Sequence, residues 1–465
     1  MSKKAVQTDV AVIGAGTAGM VAYRAAVKAG KRAVIIESGP YGTMCARVGC
    51  MPSKLLIAAA TAADAVKQAP EFGVRAHIDA IDGKRVMQRV KSERDRFVNF
   101  VLNDVDSFNH DDKIRGHARF INNNRIAVDK HTIIETSATV IATGSVSNTQ
   151  ENLNNVADKI IFNDDVFDWD NLPSSLLVVG TGIIGLELGQ ALSKLGVSVT
   201  IINRSDSLAC LKDPAVRAEA VNVLKNSINI KFNTTISSAS IVDNKVVSTL
   251  VNNNSGDSET ITTDYILMAI GRRPAIDNIG LENTSAKLLK NGKVKYDRST
   301  LKIESAPIFI AGDANGNALI QHEASDDGYI AGTNAAMFPE LKHIPRRASM
   351  GIVFTEPQVA FVGIRYSDLP ETGVIEGEVR FNNQGRSRIM LRNQGLLKVY
   401  ADSSTGLFLG AEMIGPSAEH IAHLLAWSYQ QQLTIKEMLE MPFYHPVVEE
   451  GVRTALRNAA RQILD

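Results

Sequence analysis

The sequence predicts an α/β protein: two Rossmann-like dinucleotide-binding domains followed by a C-terminal α+β domain. Three observations predict it. A glycine fingerprint occurs twice, each time between an apolar strand and a helix; a cysteine pair follows the first copy closely; and the last third mixes strand-like and helix-like runs. The 465 residues, 45% hydrophobic and 22% charged, leave room for about three domains at roughly 100–200 residues each. Lys plus Arg and Asp plus Glu balance at 50 each, so no basic field points to nucleic acid or an anionic membrane. No apolar run approaches the ~20 residues of a membrane helix. The N-terminus leads towards a strand without a signal-peptide core, and a cytoplasmic protein is expected.

The first fingerprint opens the chain. Asp9 to Ile13 reads as a short apolar strand, Gly14-Ala15-Gly16-Thr17-Ala18-Gly19 as a turn, and the stretch to about Gly30 as a helix; a second strand, Arg32 to Ile36, ends at Glu37. In such a unit Gly14 permits the tight turn, Gly16 lets backbone approach a pyrophosphate, and Gly19 allows close packing of helix on sheet. Glu37 stands where an acid accepts from ribose hydroxyls.

Next come Cys45 and Cys50, in a chain with three cysteines in all. Beside a dinucleotide site in a reducing compartment, such a pair reads as a catalytic dithiol rather than a structural staple. Cys210 is isolated and reads as a surface or packing residue, and no Cys/His cluster has zinc spacing, so no metal is expected.

The second fingerprint repeats the pattern. Leu176 to Val179 is a buried strand, Gly180-Thr181-Gly182-Ile183-Ile184-Gly185 the turn, Leu186 to Leu195 a helix, and Val197 to Ile202 the next strand. Two dinucleotides are therefore expected. The usual acid is replaced by Asn203, followed by Arg204, and an arginine there suits a 2′-phosphate as well as a solvated surface, so NAD and NADP both fit. The Asn-rich runs Asn122–Asn124 and Asn252–Asn254 read as hairpin turns. From about Pro345 the chain reads as strand-like Gly351 to Val362 and Leu396 to Tyr400, then helix-like Ser417 to Gln432 and Glu449 to Leu464.

In order along the chain stand the two fingerprints, Cys-x4-Cys-x-Pro-Ser-Lys, Ala142-Thr143-Gly144, Gly271-Arg272-Arg273-Pro274, Ala311-Gly312-Asp313 and His445-Pro446 with Glu450. In that combination the sequence resembles the FAD-dependent pyridine nucleotide-disulfide oxidoreductases, and among them the dihydrolipoamide dehydrogenases. The resemblance implies an FAD domain over residues 1–148 and 273–345, an NAD(P) domain over 149–272 and a dimerisation domain over 346–465. It makes Thr143, Gly144, Gly312 and Asp313 part of the flavin pocket, with Asp313 accepting from the ribityl chain, and Gly180, Gly182, Gly185, Asn203, Arg204 and Gly271 cofactor-binding residues of the NAD(P) domain. His322 falls at the start of a flavin-proximal helix, where its part is positional.

For the chemistry, the resemblance makes Cys50 the thiol against the flavin and Cys45 the interchange thiol. Lys54 lies near the reactive flavin nitrogen and pairs with Glu187. His445, oriented by Glu450, is the acid–base group, and it serves the disulfide of the other subunit of a homodimer. Lipoamide or another small disulfide is the expected substrate, with the lipoyl-bearing acyltransferase of a 2-oxo acid dehydrogenase complex as the corresponding partner.

The chain departs from the family pattern at several points. Gly42-Thr43-Met44 replaces Gly-Gly-Thr, displacing from the FAD diphosphate a hydroxyl that Thr43 would supply. Arg47 replaces an asparagine, and Phe443 and Val447 replace residues common around the histidine. Against the lipoamide reading stand an NADPH-dependent reductase of another disulfide, favoured by Asn203-Arg204, a mercuric reductase, disfavoured because no cysteine pair ends the chain, and a non-catalytic flavin-binding protein.

Overall fold

The computed structural model describes residues 4–289, 292–304 and 306–463. They fall into two compact units, the first made of Met1–Pro52, Val90–Asn148 and Gly271–Arg346, the second of Ser53–Arg89, Thr149–Ile270 and Arg347–Asp465.

In the first unit, β1 (Lys4–Ile13) and β2 (Ala33–Glu37) pair in parallel around the helix α1 (Thr17–Lys28). β1 also pairs in parallel with Thr132–Ile141, which in turn pairs with Ile308–Ile310. These strands bury apolar side chains on both faces, one under α1 and the helix Gln321–Met337, the other under Phe120, Ile126 and the segment from Ile276 to Ala306. The hairpin strands Ala118–Asn122 and Arg125–Val128 extend the sheet through the predicted asparagine turn. On one face, α1 lies directly against the helix Gln321–Met337: a Cβ on Gly328 would stand 2.3 Å from the Ala18 carbonyl oxygen, and one on Gly332 2.4 Å from that of Ala22. Two glycines thus let the helix backbones touch and fix the register between them.

In the second unit a five-stranded parallel sheet has Ser175–Val179 at its centre, between Ser198–Ile202 and Tyr265–Met268. A three-stranded antiparallel ribbon, Thr234–Val242, Lys245–Asn252 and Ser258–Thr263, turns at the second asparagine run. The C-terminal part is a five-stranded antiparallel sheet with the helices Ala418–Gln430 and Glu450–Ala460 packed against it. The predicted final helix therefore stops at Ala460; its last expected residue, Leu464, lies outside the described residues.

One expected element is corrected. Gly351 to Val362 is not one strand but two, Met350–Val353 and Gln358–Gly363, paired antiparallel. Between them the Phe354 amide donates to Glu187 Oε1 at 3.0 Å and the Glu356 amide to Gln190 Oε1 at 2.7 Å, while Pro357 has no N–H. Donors taken by side chains of the helix Ile183–Lys194 cannot continue a ladder. Among the described residues, no helix is long and apolar enough to cross a membrane.

Candidate active site

The first glycine turn has the geometry its spacing predicts. Gly14 takes φ +104°, and a Cβ there would lie 2.3 Å from the Ala142 carbonyl oxygen; one on Gly19 would lie 1.8 Å from that of Gly14. A side chain at either position would drive helix and sheet apart. Gly16 differs: a Cβ there meets no protein atom within 4 Å, so its missing side chain clears space rather than permits packing. Glu37 closes the turn, one carboxylate oxygen accepting from the Ala15 amide and the other from the Gly39 amide, both at 2.7 Å.

A second cluster of the first unit gathers around Asp313. Its Oδ2 accepts from the Ser145 hydroxyl at 2.7 Å, and that hydroxyl oxygen accepts from Arg272 Nε at 2.9 Å. Burial raises the Asp313 carboxyl above its ordinary range, while Ser145 and the Arg272 charge oppose the rise. Arg272 also donates to Ser147 Oγ at 2.9 Å and to the Met44 sulfur at 3.2 Å. Three expected motifs are thereby joined, although the glycine-arginine-arginine-proline run carried no signal for which partners its first arginine takes. Among the described residues, Thr143 Oγ1 is buried and has no hydrogen-bond partner, the kind of group a bound ligand satisfies.

The cysteines flank a sharp break. Thr43, at φ +56°, caps the short helix α2 (Met44–Val48) by accepting from the Ala46 amide at 3.2 Å, so its hydroxyl serves the cysteine loop. Cys45 sits in this turn, and Cys50 opens the 19-residue helix α3 (Cys50–Gln68). Both cysteines are half-buried. Arg47 lies over Gly42, its Cδ 3.0 Å from where a Gly42 Cβ would stand.

In the second unit, Lys54 and Glu187 meet as expected, Nζ to Oε2 at 2.7 Å, with Glu187 4% and Lys54 33% exposed. The backbone of Phe354 fixes the other Glu187 oxygen, and the Phe354 ring lies 4.5 Å from the Lys54 ammonium. A nearly buried carboxylate holding a partly exposed cation leaves that cation directional. Phe354 could not have been found from spacing, because its main contribution is a backbone amide.

At the second glycine turn Gly180 takes φ +113°, and a Cβ on Gly185 would lie 2.1 Å from the Gly180 carbonyl oxygen. Gly182 is again nearly clear, its nearest neighbour 3.9 Å away. Asn203 is turned inward: its amide donates to Ser205 and Ser207, at 3.1 Å to the Ser205 carbonyl. Arg204 is exposed and, among the described residues, its side chain makes no ion pair.

His445 and Glu450 form the last pair. Both Glu450 oxygens lie 3.1 Å from His445 Nδ1, and one accepts the Val447 amide. The histidine bond, more than that amide, holds the Glu450 carboxyl below its ordinary range. His445 is 80% exposed, so its Nε2 edge is available. His322 is exposed in the first turn of the helix Gln321–Met337. Burial pushes the Cys210 thiol up to about 11 against the opposing Arg365 charge, which makes it a poor nucleophile.

The cleared space at Gly16, the orphaned Thr143 hydroxyl and the Glu37 carboxylate fit a dinucleotide such as FAD, and the second turn fits another. Comparison with known proteins agrees. The family pyridine nucleotide-disulphide oxidoreductase matches residues 8–336, and its dimerisation domain residues 349–456. Dihydrolipoyl dehydrogenase of Geobacillus stearothermophilus is 28% identical over 96% of this chain and 95% of its own. That of Halobacterium salinarum is 27% identical over 97% and 96%. In fold, the HOCl-induced flavoprotein disulfide reductase RclA from Escherichia coli superposes with a TM-score of 0.81 at 23% identity, covering 97% of this chain and 99% of that one. With both family matches spanning the two turns, the cysteine loop and the C-terminal sheet, the chain belongs to the pyridine nucleotide-disulfide oxidoreductases.

Proposed function

We propose that this chain is a homodimeric flavoenzyme of the dihydrolipoamide dehydrogenase type: dihydrolipoamide and NAD⁺ become lipoamide, NADH and a proton. The observation that carries the reading is the His445–Glu450 pair, in a chain that also carries the Cys45–Cys50 motif intact. A carboxylate on Nδ1 fixes the imidazole tautomer and raises its basicity, leaving Nε2 to take a thiol proton. Names of the curated relatives support the substrate, at 26–28% identity.

Residues 1–148 and 273–345 hold FAD in this reading, 149–272 hold NAD(P), and 346–465 form the dimer contact. Exposed Leu424 and Trp427 on the helix Ala418–Gln430 supply apolar surface for the second copy. Glu37 takes ribose hydroxyls, Gly14, Gly16, Gly19 and Thr143 receive the phosphates, and Asp313 orients the ribityl chain, with Gly144, Gly312 and His322 shaping the pocket; Gly271 belongs with the NAD(P) site. Bound FAD supplies two-electron transfer between dithiol and nicotinamide.

His445, reaching the disulfide of the other subunit, removes a proton from dihydrolipoamide, and the resulting thiolate attacks Cys45. The Cys45–Cys50 bond breaks and Cys50 leaves as thiolate, favoured by its place at the start of a long helix. The second substrate thiol then displaces Cys45, its proton passing to the leaving Cys45 sulfur, so lipoamide forms as the cysteine pair is reduced. Lys54, held by Glu187, favours negative charge on reduced flavin. The lipoyl-bearing acyltransferase of a 2-oxo acid dehydrogenase complex is the corresponding partner, in the cytoplasm.

Exposed Arg204 favours a second reading, an NADPH-dependent reductase of another disulfide. One assay separates them: the purified yellow protein with dihydrolipoamide and either NAD⁺ or NADP⁺. Rapid NAD⁺ reduction is expected. Failure with both acceptors, while NADPH still bleaches the flavin, moves the substrate elsewhere. Cys45→Ser is expected to abolish exchange with flavin retained, and His445→Gln to slow it about 10²–10⁴-fold; near-normal turnover would remove His445 from the mechanism.

A further inference from the structure

Asp327 carries no signal in the sequence, yet it is 2% exposed and makes three polar contacts. Its Oδ2 accepts from the Gly312 amide at 3.0 Å and from Asn315 Nδ2 at 2.6 Å. Its Oδ1 pairs with Arg346, which also reaches Glu323 at 3.2 Å. Gly312 and Asn315 are the first and last residues of the one-turn helix that carries Asp313. One carboxylate therefore grips both ends of the turn whose middle presents the expected ribityl acceptor.

A buried carboxylate is costly to retain, and packing alone does not require one here. The helix Gln321–Met337 is already registered against α1 by Gly328 and Gly332. What Asp327 adds is a rigid tie from that helix to the turn. On the opposite side Ser145 and Arg272 hold the Asp313 carboxylate itself. Burial pushes the Asp327 carboxyl up to about 6 and Arg346 counters the rise, leaving an anion at neutral pH to accept both turn donors.

We propose that Asp327, with Arg346 as its counter-ion, is a positioning residue for the flavin: it fixes the Gly312–Asn315 turn so that Asp313 meets the ribityl chain. This rests on the reading of Asp313 as a flavin ligand. Asp327→Asn keeps the shape but removes the charge that both turn donors and Arg346 use.

The experiment measures the FAD dissociation constant, the visible circular dichroism of bound flavin and its midpoint potential in the parent chain, Asp327→Asn, Arg346→Met and the double variant. The expected result is FAD binding weaker by about tenfold to a hundredfold in Asp327→Asn, with an altered flavin dichroism. Arg346→Met should shift both in the same direction, and the double variant should be no worse than Asp327→Asn. A variant that merely melts earlier, with unchanged affinity, dichroism and potential in its folded fraction, overturns the proposal. If Asp327→Asn does not fold, unchanged FAD affinity in Arg346→Met overturns it equally. A parent that binds no FAD overturns the cofactor reading itself, which separates the two failures.

Discussion

The two glycine turns are almost the same object in backbone and different objects at their edges. The Gly14 amide donates to the Ile36 carbonyl at 2.8 Å, and the Gly180 amide to that of Ile202 at 2.8 Å. A Cβ on either glycine strikes a carbonyl at the end of the neighbouring strand, at 2.3 Å from Ala142 and 2.4 Å from Ala269. At the edge, Glu37 is an acceptor facing back over its own turn, whereas Asn203 is a donor spent on Ser205 and Ser207. That serine loop closes on the second turn, Thr181 Oγ1 donating to the Ser207 carbonyl at 2.6 Å. The difference teaches that the glycine spacing fixes the turn and little else; in the proposed reading, the ribose preference lies in the residue at the end of the second strand and in the loop around it.

The comparison breaks most completely at its shared element. Gly14→Ala and Gly180→Ala each combine strain at positive φ with a backbone collision. Gly14→Ala is expected to purify with flavin affinity down by more than about a hundredfold. Gly180→Ala should stay yellow while reduction of its flavin by NADH or NADPH falls by a similar factor. Flavin absorbance and stopped-flow reduction read the two, and equal loss of flavin in both would mean that the turns are not separate sites.

Smaller effects are expected at the edges. Glu37→Gln weakens two charge-assisted amide bonds together with the ribose acceptor, so FAD affinity should fall about tenfold or more by equilibrium dialysis. Asn203→Asp places an acid at the second edge and should lower the NADPH over NADH preference about tenfold in kcat/KM, at some cost to the serine loop. Arg204→Ala should raise the KM for NADPH by less than about tenfold and leave that for NADH unchanged, since its side chain is exposed.

The smallest effect lies outside both turns and sets a scale for them. The His445 bond depresses the folded-state pKa of Glu450 below the ordinary 4.5. Such a group contributes stability that is present above its unfolded value and lost as pH falls through the folded one. Glu450→Gln should therefore lower the melting temperature slightly above about pH 4.5 and converge on the parent as pH falls below it, which flattens the acid limb. Melting temperatures across pH 3–7 check it, and an unchanged acid limb would detach Glu450 from the pair.

Part of this was legible in the sequence. Both turns and both asparagine hairpins appear where the spacing places them, and the Lys54–Glu187 and His445–Glu450 pairs form as the family resemblance implies. The single strand expected over Gly351 to Val362 failed because Glu187 and Gln190, more than 160 residues earlier, take the Phe354 and Glu356 amides. Leu301, Thr43 and Ser417 adopt left-handed backbone without being glycine, again under constraints that local pattern does not carry.

What the sequence determined by itself is periodic or contiguous: the strand–turn–helix units, the places where only glycine fits, the cysteine loop and the histidine with its glutamate. What the tertiary structure decided is which side chain satisfies which distant backbone group. Arg272 reaching Ser145 and Met44 and Glu187 taking the Phe354 amide are pairings across more than a hundred residues, and Asp327 gripping both ends of the Asp313 turn joins a helix to the loop before it. Buried polar groups must find partners, but which partners are within reach depends on helix register and sheet order, and those exist only once the chain is folded.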